Sequence, residues 1–145
     1  AVAGFDESEL SVTVENNDVC HRVGLLRDGC SAKMKWLSIE PLIGPVPDIR
    51  LLDIDWVVVG GESGARGRPM QKEWIDDLHS LCIRRGIPFF FKQWGRLCNN
   101  PDTTDPTAKE KGGTAKGGMR IDGQVRTSFP NWDIGLKKGG RDRGR

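Results

Sequence analysis

Apolar residues along the chain follow two rhythms: short unbroken runs, and longer stretches with a helical repeat. Leu10 to Val14 is rich in β-branched side chains and reads as a short strand ending at Glu15-Asn16. Asn17 or Asp18 then offers a helix cap, with Val19, Val23 and Leu26 at helical spacing before Gly29 stops the helix. A second strand is expected from Met34 to Ile39. It stops at Glu40-Pro41, because proline has no N–H for the ladder and restricts the residue before it. Pro41, Gly44, Pro45 and Pro47 make the next segment a bent loop, with a single helical turn expected at Asp48 to Leu52 and Asp48 as its cap.

The third run, Trp56-Val57-Val58-Val59, is apolar at every position, the pattern of a parallel strand covered on both faces. It breaks directly into Gly60-Gly61-Glu62-Ser63-Gly64. The glycines let the backbone turn tightly or approach a ligand, and Glu62 and Ser63 are delivered to the carboxyl end of the strand. Gln71 to Arg85 is the clearest helix, with Trp74, Ile75, Leu78, Leu81 and Cys82 on one face and Gly86 as its stop. Pro88-Phe89-Phe90-Phe91 begins a fourth buried strand, which ends at Lys92-Gln93-Trp94-Gly95.

Strands separated by helices pair in parallel through right-handed crossovers. The expected fold is therefore α/β: a partial (β/α) barrel-like parallel sheet of about four strands with flanking helices, over residues 1–97. Residues 98–145 read as an irregular, Gly-rich basic tail, with a loop from Asn99 to Gly118 and a small hairpin over Met119 to Val125 around Asp122-Gly123. Phe129 to Trp132 is expected to pack back on the core, and Leu136 to Arg145 to stay mobile.

A chain of 145 residues can bury a core without metal or disulfide. Its four cysteines contain no C-x-x-C, and neither histidine sits at zinc-finger spacing, so reduced thiols in a cytoplasmic protein are expected and no metal site. No run of 18 apolar residues occurs and no signal peptide is seen, which points away from a membrane. The chain opens with Ala1 rather than Met, which suggests a fragment or a processed product. The net charge of +2 hides an asymmetry: residues 1–108 carry 12 Lys/Arg against 16 Asp/Glu, residues 109–145 carry 10 against 4. A basic, glycine-rich tail either contacts nucleic-acid phosphates without sequence preference or is simply solvated.

The candidate chemistry follows from where the strands end. Glu15-Asn16, Glu40, Gly60-Gly61-Glu62-Ser63 and Lys92-Gln93 terminate four strands, and on one edge of one sheet they form a ligand-binding rim. Glu15, Glu40 and Glu62 can serve as acid/base groups, as oxygen ligands, or as acceptors for a ribose or an amino group. Lys92 is alternatively their internal counter-charge, in a structural network. No histidine accompanies them, which favours ligand binding over proton transfer. Gly64, Arg66 and Arg68, between strand and helix, can hold an anion or form a flexible loop. Trp94 is expected to pack the rim rather than stack on a base. Neither a Walker sequence nor a Gly-x-Ser-x-Gly elbow is present.

Three blocks, Trp36 to Leu42, Asp55 to Gly64 and Pro88 to Gly95, together resemble a bacteriophage and prophage family of unknown function, the gp-thirty-seven/gp-sixty-eight family. Ser11 to Asn16 and Arg68-Pro69-Met70 extend the likeness over about residues 11–95. Members carry an upstream cysteine-rich segment reminiscent of radical-SAM enzymes. The resemblance implies the carboxyl-terminal half of a radical-SAM-like enzyme whose full-length form binds S-adenosylmethionine and an iron–sulfur cluster. It implies no cofactor held within this chain alone, and a partner in the missing amino-terminal half or a second copy. Gly135 to Arg141 only loosely matches the family's Gly-Lys-Lys tail block.

Overall fold

The structure, a computed structural model, describes residues 8–109 and 116–131. Four strands, β1 (Glu9–Thr13), β2 (Met34–Ile39), β3 (Trp56–Val59) and β4 (Phe89–Phe91), form one sheet in the order 1-2-3-4, every pair parallel. Helix α1 (His21–Gly29) connects β1 to β2, and α2 (Lys72–Arg85) connects β3 to β4. The α/β architecture expected from the sequence is the one observed. Sequential order means that each crossover returns to the neighbouring position. That is how barrel sheets are wound, in contrast to doubly wound sheets that reverse at a switch point.

The pleat divides the sheet into two faces. Register places Val12, Leu37, Val57 and Phe89 in one row, with Ile39, Val59 and Phe91 in the next. These side chains share a core with Val23 and Leu26 of α1 and Ile75, Leu78 and Cys82 of α2, so this is the helix-covered face. The opposite face carries Ser11, Trp36 and Trp56 in one row and Thr13, Ser38, Val58 and Phe90 in the next. There the Trp36 and Trp56 rings lie 5.3 Å apart, and Trp56 meets Phe90 edge-on at 6.0 Å.

Two local expectations need correction. Asp48 to Leu52 forms no helical turn, only isolated turns at its two ends. Asp48 spends its polar groups on Asn17: its carboxylate accepts from the Asn17 amide at 2.7 Å, and its N–H donates back to Asn17 Oδ1 at 3.0 Å. The helix expected from Asn17 or Asp18 onward is split into a 3-10 turn, Asn17–Val19, and α1. Asn16 rather than Asn17 caps the turn, accepting from Asp18 N–H at 3.0 Å. By contrast α2 ends as its sequence dictates, with Gly86 left-handed at φ 65° and its N–H bonded to the last carbonyls.

Described residues beyond 97 pack on the same core. Trp94 N–H donates to the Gly118 carbonyl and its indole N–H to the Arg120 carbonyl, both at 2.9 Å. The hairpin β5 (Arg120–Ile121) and β6 (Gln124–Val125) turns at Asp122-Gly123, both with positive φ as an Asp-Gly hairpin turn requires. Ile121 is buried in the main core. Residues 126–128 then run antiparallel beside β4, and Phe129 folds over Trp56 and Phe90 at 5.7 and 5.2 Å. Trp132, Gly135 to Arg141 and the basic stretch from Leu136 to Arg145 lie outside the described residues.

Candidate functional site at the carboxyl ends of the strands

One residue beyond the last paired row, the strands place Glu15, Glu40, Gly60 and Lys92 two positions on from Thr13, Ser38, Val58 and Phe90. The pleat therefore directs them to the face that bears no helix. Glu40, which precedes Pro41 through a cis peptide, is the centre of the group. Lys92 Nζ approaches one of its carboxylate oxygens at 2.8 Å, and Gln93 Nε2 donates to the other at 2.8 Å. Gln93 is buried and also donates to the Gly61 carbonyl at 3.2 Å. Gly60 lies under this pair: a Cβ there would come within 3.1 Å of both Gln93 Nε2 and Glu40 Cδ.

Glu15 and Glu62 each close on an arginine instead. Arg22 of α1 donates to Glu15 at 3.0 Å and to the Thr13 carbonyl at 2.9 Å. Arg68 grips Glu62 with two guanidinium nitrogens at 2.9 Å, and its own N–H adds a third bond at 2.7 Å. The Arg68 side chain, followed by its backbone N–H, holds the Glu62 carboxyl down at about 2, well below its ordinary 4.5. Arg68 is raised chiefly by Glu62 and also by Glu15, so both carboxylates act on one guanidinium. Arg68 is thus committed internally, while Arg66 is exposed and Gly64 stands at φ 105° with open space above it. Ser63 Oγ accepts from Lys116 at 3.2 Å.

Gly61 serves a different purpose from the one its place in the motif suggests. A Cβ on it would lie 2.1 Å from the Trp94 carbonyl oxygen, so the close approach it permits is to the protein's own backbone. Gly95 and Gly67 likewise press on the Glu62 carbonyl, each with its Cβ position 2.4 Å from that oxygen. Trp94 is 1% exposed and meets Phe91 edge-on at 5.3 Å, so it packs the rim.

Arg22 and the aromatic row were not singled out in the sequence as site residues. Arg22 sits on a helix, and nothing in its spacing couples it to Glu15. The row was hidden because Trp56 to Val59 is apolar throughout. The alternation Trp36, Ser38, Glu40 along β2 is the signal that marks the second face.

Clefts lie at both ends of the strands. One of about 790 Å3 is lined by Gly64, Gly95, Arg96, Leu97, Thr103 and Lys116, beside the carboxyl ends. The other, about 390 Å3, lies at the amino ends among Lys33, Met34, Asp55, Arg85, Pro88 and Phe129. The chemistry at Glu40 belongs to neither, since it lies on the open face of the sheet. Among the described residues no three His, Cys, Asp or Glu side chains converge as a metal site. Cys20, Cys30, Cys82 and Cys98 are free thiols on separate segments, so this chain's residues do not fit an iron–sulfur cluster. No described helix is long and apolar enough to cross a membrane.

Fold and rim together define an α/β protein with a sequentially wound parallel sheet and charged groups gathered at its carboxyl edge. The chain belongs to the family described as "Protein of unknown function (DUF5131)", whose model matches residues 6–130. No curated protein and no solved structure matches it. The likeness to a phage family rests on the sequence blocks alone, and the radical-SAM relation on a segment of that family that has no counterpart in this sequence.

Proposed function

We propose that this chain is the carboxyl-terminal part of a barrel-type enzyme, and that its carboxyl-end rim binds a nucleotide-type cofactor or substrate on the helix-free face of the sheet. The observation that carries the reading is the alignment of Glu40, Gly60 and Lys92 in one row of that face, directly beyond Val58 and Phe90. Glu40 and Lys92 are both partly exposed, so their ion pair contributes only about 0–1 kcal/mol to folding. A carboxylate and an ammonium held side by side match an amino-acid zwitterion: Lys92 for its carboxylate, Glu40 for its ammonium or a ribose hydroxyl. The indole of Trp36, farther down the same face, offers surface for a planar base, while Trp56 beside it is packed by Phe129. S-adenosylmethionine has both ends of this description. When bound it would supply a sulfonium-activated carbon, while Glu40, Lys92 and Gln93 hold and orient it.

Calorimetric titration of the complete gene product with S-adenosylmethionine, adenosine and ATP tests the reading. Saturable binding of at least one is expected. No heat with any of them would end the proposal.

A further inference from the structure

We infer that the sheet continues past the outer edge of β1 onto a parallel strand from another part of the same gene product, and that it terminates at β4. The inference rests on the barrel reading above and gives that barrel one open seam. Met34 N–H donates to the Ser8 carbonyl and Val14 N–H to the Ser38 carbonyl, both at 3.0 Å. Residues alternate along a parallel ladder, so Ser8, Leu10, Val12 and Val14 bond to β2 while Glu9, Ser11 and Thr13 turn their N–H and C=O groups outward. Among the described residues no strand pairs with that edge.

The other edge of the sheet is closed. Phe91 N–H donates to the Arg126 carbonyl at 2.8 Å, Ser128 N–H donates to the Phe89 carbonyl at 3.1 Å, and Phe90 bridges Thr127 in antiparallel sense. An incoming strand would have to displace residues 126–128, whose neighbour Phe129 is packed on Trp56. Growth is therefore confined to β1.

The surroundings of β1 favour a parallel βα unit as the occupant. Leu10 on the edge strand is 48% exposed, and Leu25 on α1, the helix lying over β1, is 67% exposed. A neighbouring strand with its own helix beside α1 would cover both. A second copy pairing antiparallel about Ser11 would set the Glu9 N–H against the Thr13 carbonyl, a position the Arg22 guanidinium already fills at 2.9 Å. A parallel strand needs only the Glu9 carbonyl, both Ser11 groups and the Thr13 N–H. The Arg22 contact then marks where the added ladder stops.

Amide hydrogen exchange on the complete gene product tests this, with Ser11→Pro as the variant. Proline there removes one outward donor, leaves every bond to β2 in place, and suits an edge position. In the wild type, the amides of Ser11 and Thr13 should be protected like the inward amides of Leu10, Val12 and Val14, at every protein concentration. Ser11→Pro should speed exchange at Thr13 about ten-fold or more while Leu10 and Val12 stay slow. Outward amides exchanging far faster than inward ones in the wild type would overturn the inference. Protection that grows with concentration would also overturn it, since a second copy would then occupy the edge. The readout needs no ligand, so failure of the rim to bind nucleotides is a separate result.

Discussion

Gly61 and Gly64 stand three residues apart in one motif and do opposite things. A methyl group at Gly61 meets the Trp94 carbonyl oxygen at 2.1 Å, whereas at Gly64 it meets nothing and only the φ of 105° resists it. Gly61→Ala should therefore destabilise the protein by about 3 kcal/mol or more, and Gly64→Ala by about 1 kcal/mol, in urea unfolding. Glu62 gives a second prediction, in pH. Its folded-state carboxyl lies at about 2 against an ordinary 4.5, so the pair with Arg68 favours the folded state above about pH 4.5 and loses that contribution as pH falls towards 2. The gap in urea midpoint between wild type and Glu62→Gln should be full at pH 7 and close over that window. A gap that persists at pH 2 would mean the pairing is not its source. At this scale the sequence marked Glu40, Lys92 and Gln93 by their places just past apolar runs. It could not say that Glu15 and Glu62 would each be taken by an arginine, because each pair spans a turn out of its strand, seven and six residues long, that has no regular repeat.

Elements whose pattern repeats were readable, and elements fixed by single polar contacts were not. Helix α2 shows its apolar face and its glycine stop in the sequence, β3 and β4 show unbroken apolar runs, and β2 shows an alternation. The segment from Asn99 to Gly118 has no period, yet it is held by a buried polar knot. Asp105, 1% exposed, accepts from Thr107 N–H and Oγ1 through one oxygen, at 2.9 and 2.6 Å, and from Asn100 Nδ2 through the other at 3.0 Å. Gly118 passes so close that a Cβ on it would lie 2.4 Å from the Asp105 carboxylate. Asp105→Ala strands the buried Asn100 amide and Thr107 donors, at a cost of about 1–3 kcal/mol. Limited proteolysis should then cut within 97–109 before it cuts α2; an unchanged cleavage pattern would show that the knot does not fasten the segment. The thiols follow their elements as well. Burial on α2 pushes Cys82 up to about 12, while Cys98 is exposed in the turn Leu97–Asn99, so native alkylation should label Cys98 and spare Cys82.

For the whole molecule, what mattered was that four strand-forming segments follow one another, with α1 and α2 in two of the three connections, and wind into a sequential parallel sheet. The sheet's two faces are unequal. One carries α1 and α2; the other ends in Glu40 and Lys92 above a row of aromatic side chains, with residues 126–129 running beside β4 and Phe129 reaching over to Trp56 of β3. That inequality supports the proposed ligand site at the carboxyl edge over one at the amino-end cleft near Arg85. The most direct measurement is calorimetric affinity of the complete gene product for whichever nucleotide it binds, compared among wild type, Glu40→Ala, Lys92→Ala and Arg85→Ala. Loss of about ten-fold or more in affinity is expected for the first two variants, with Arg85→Ala unchanged. Affinity that survives both rim substitutions, or falls with Arg85→Ala instead, would contradict a site at the carboxyl ends of the strands.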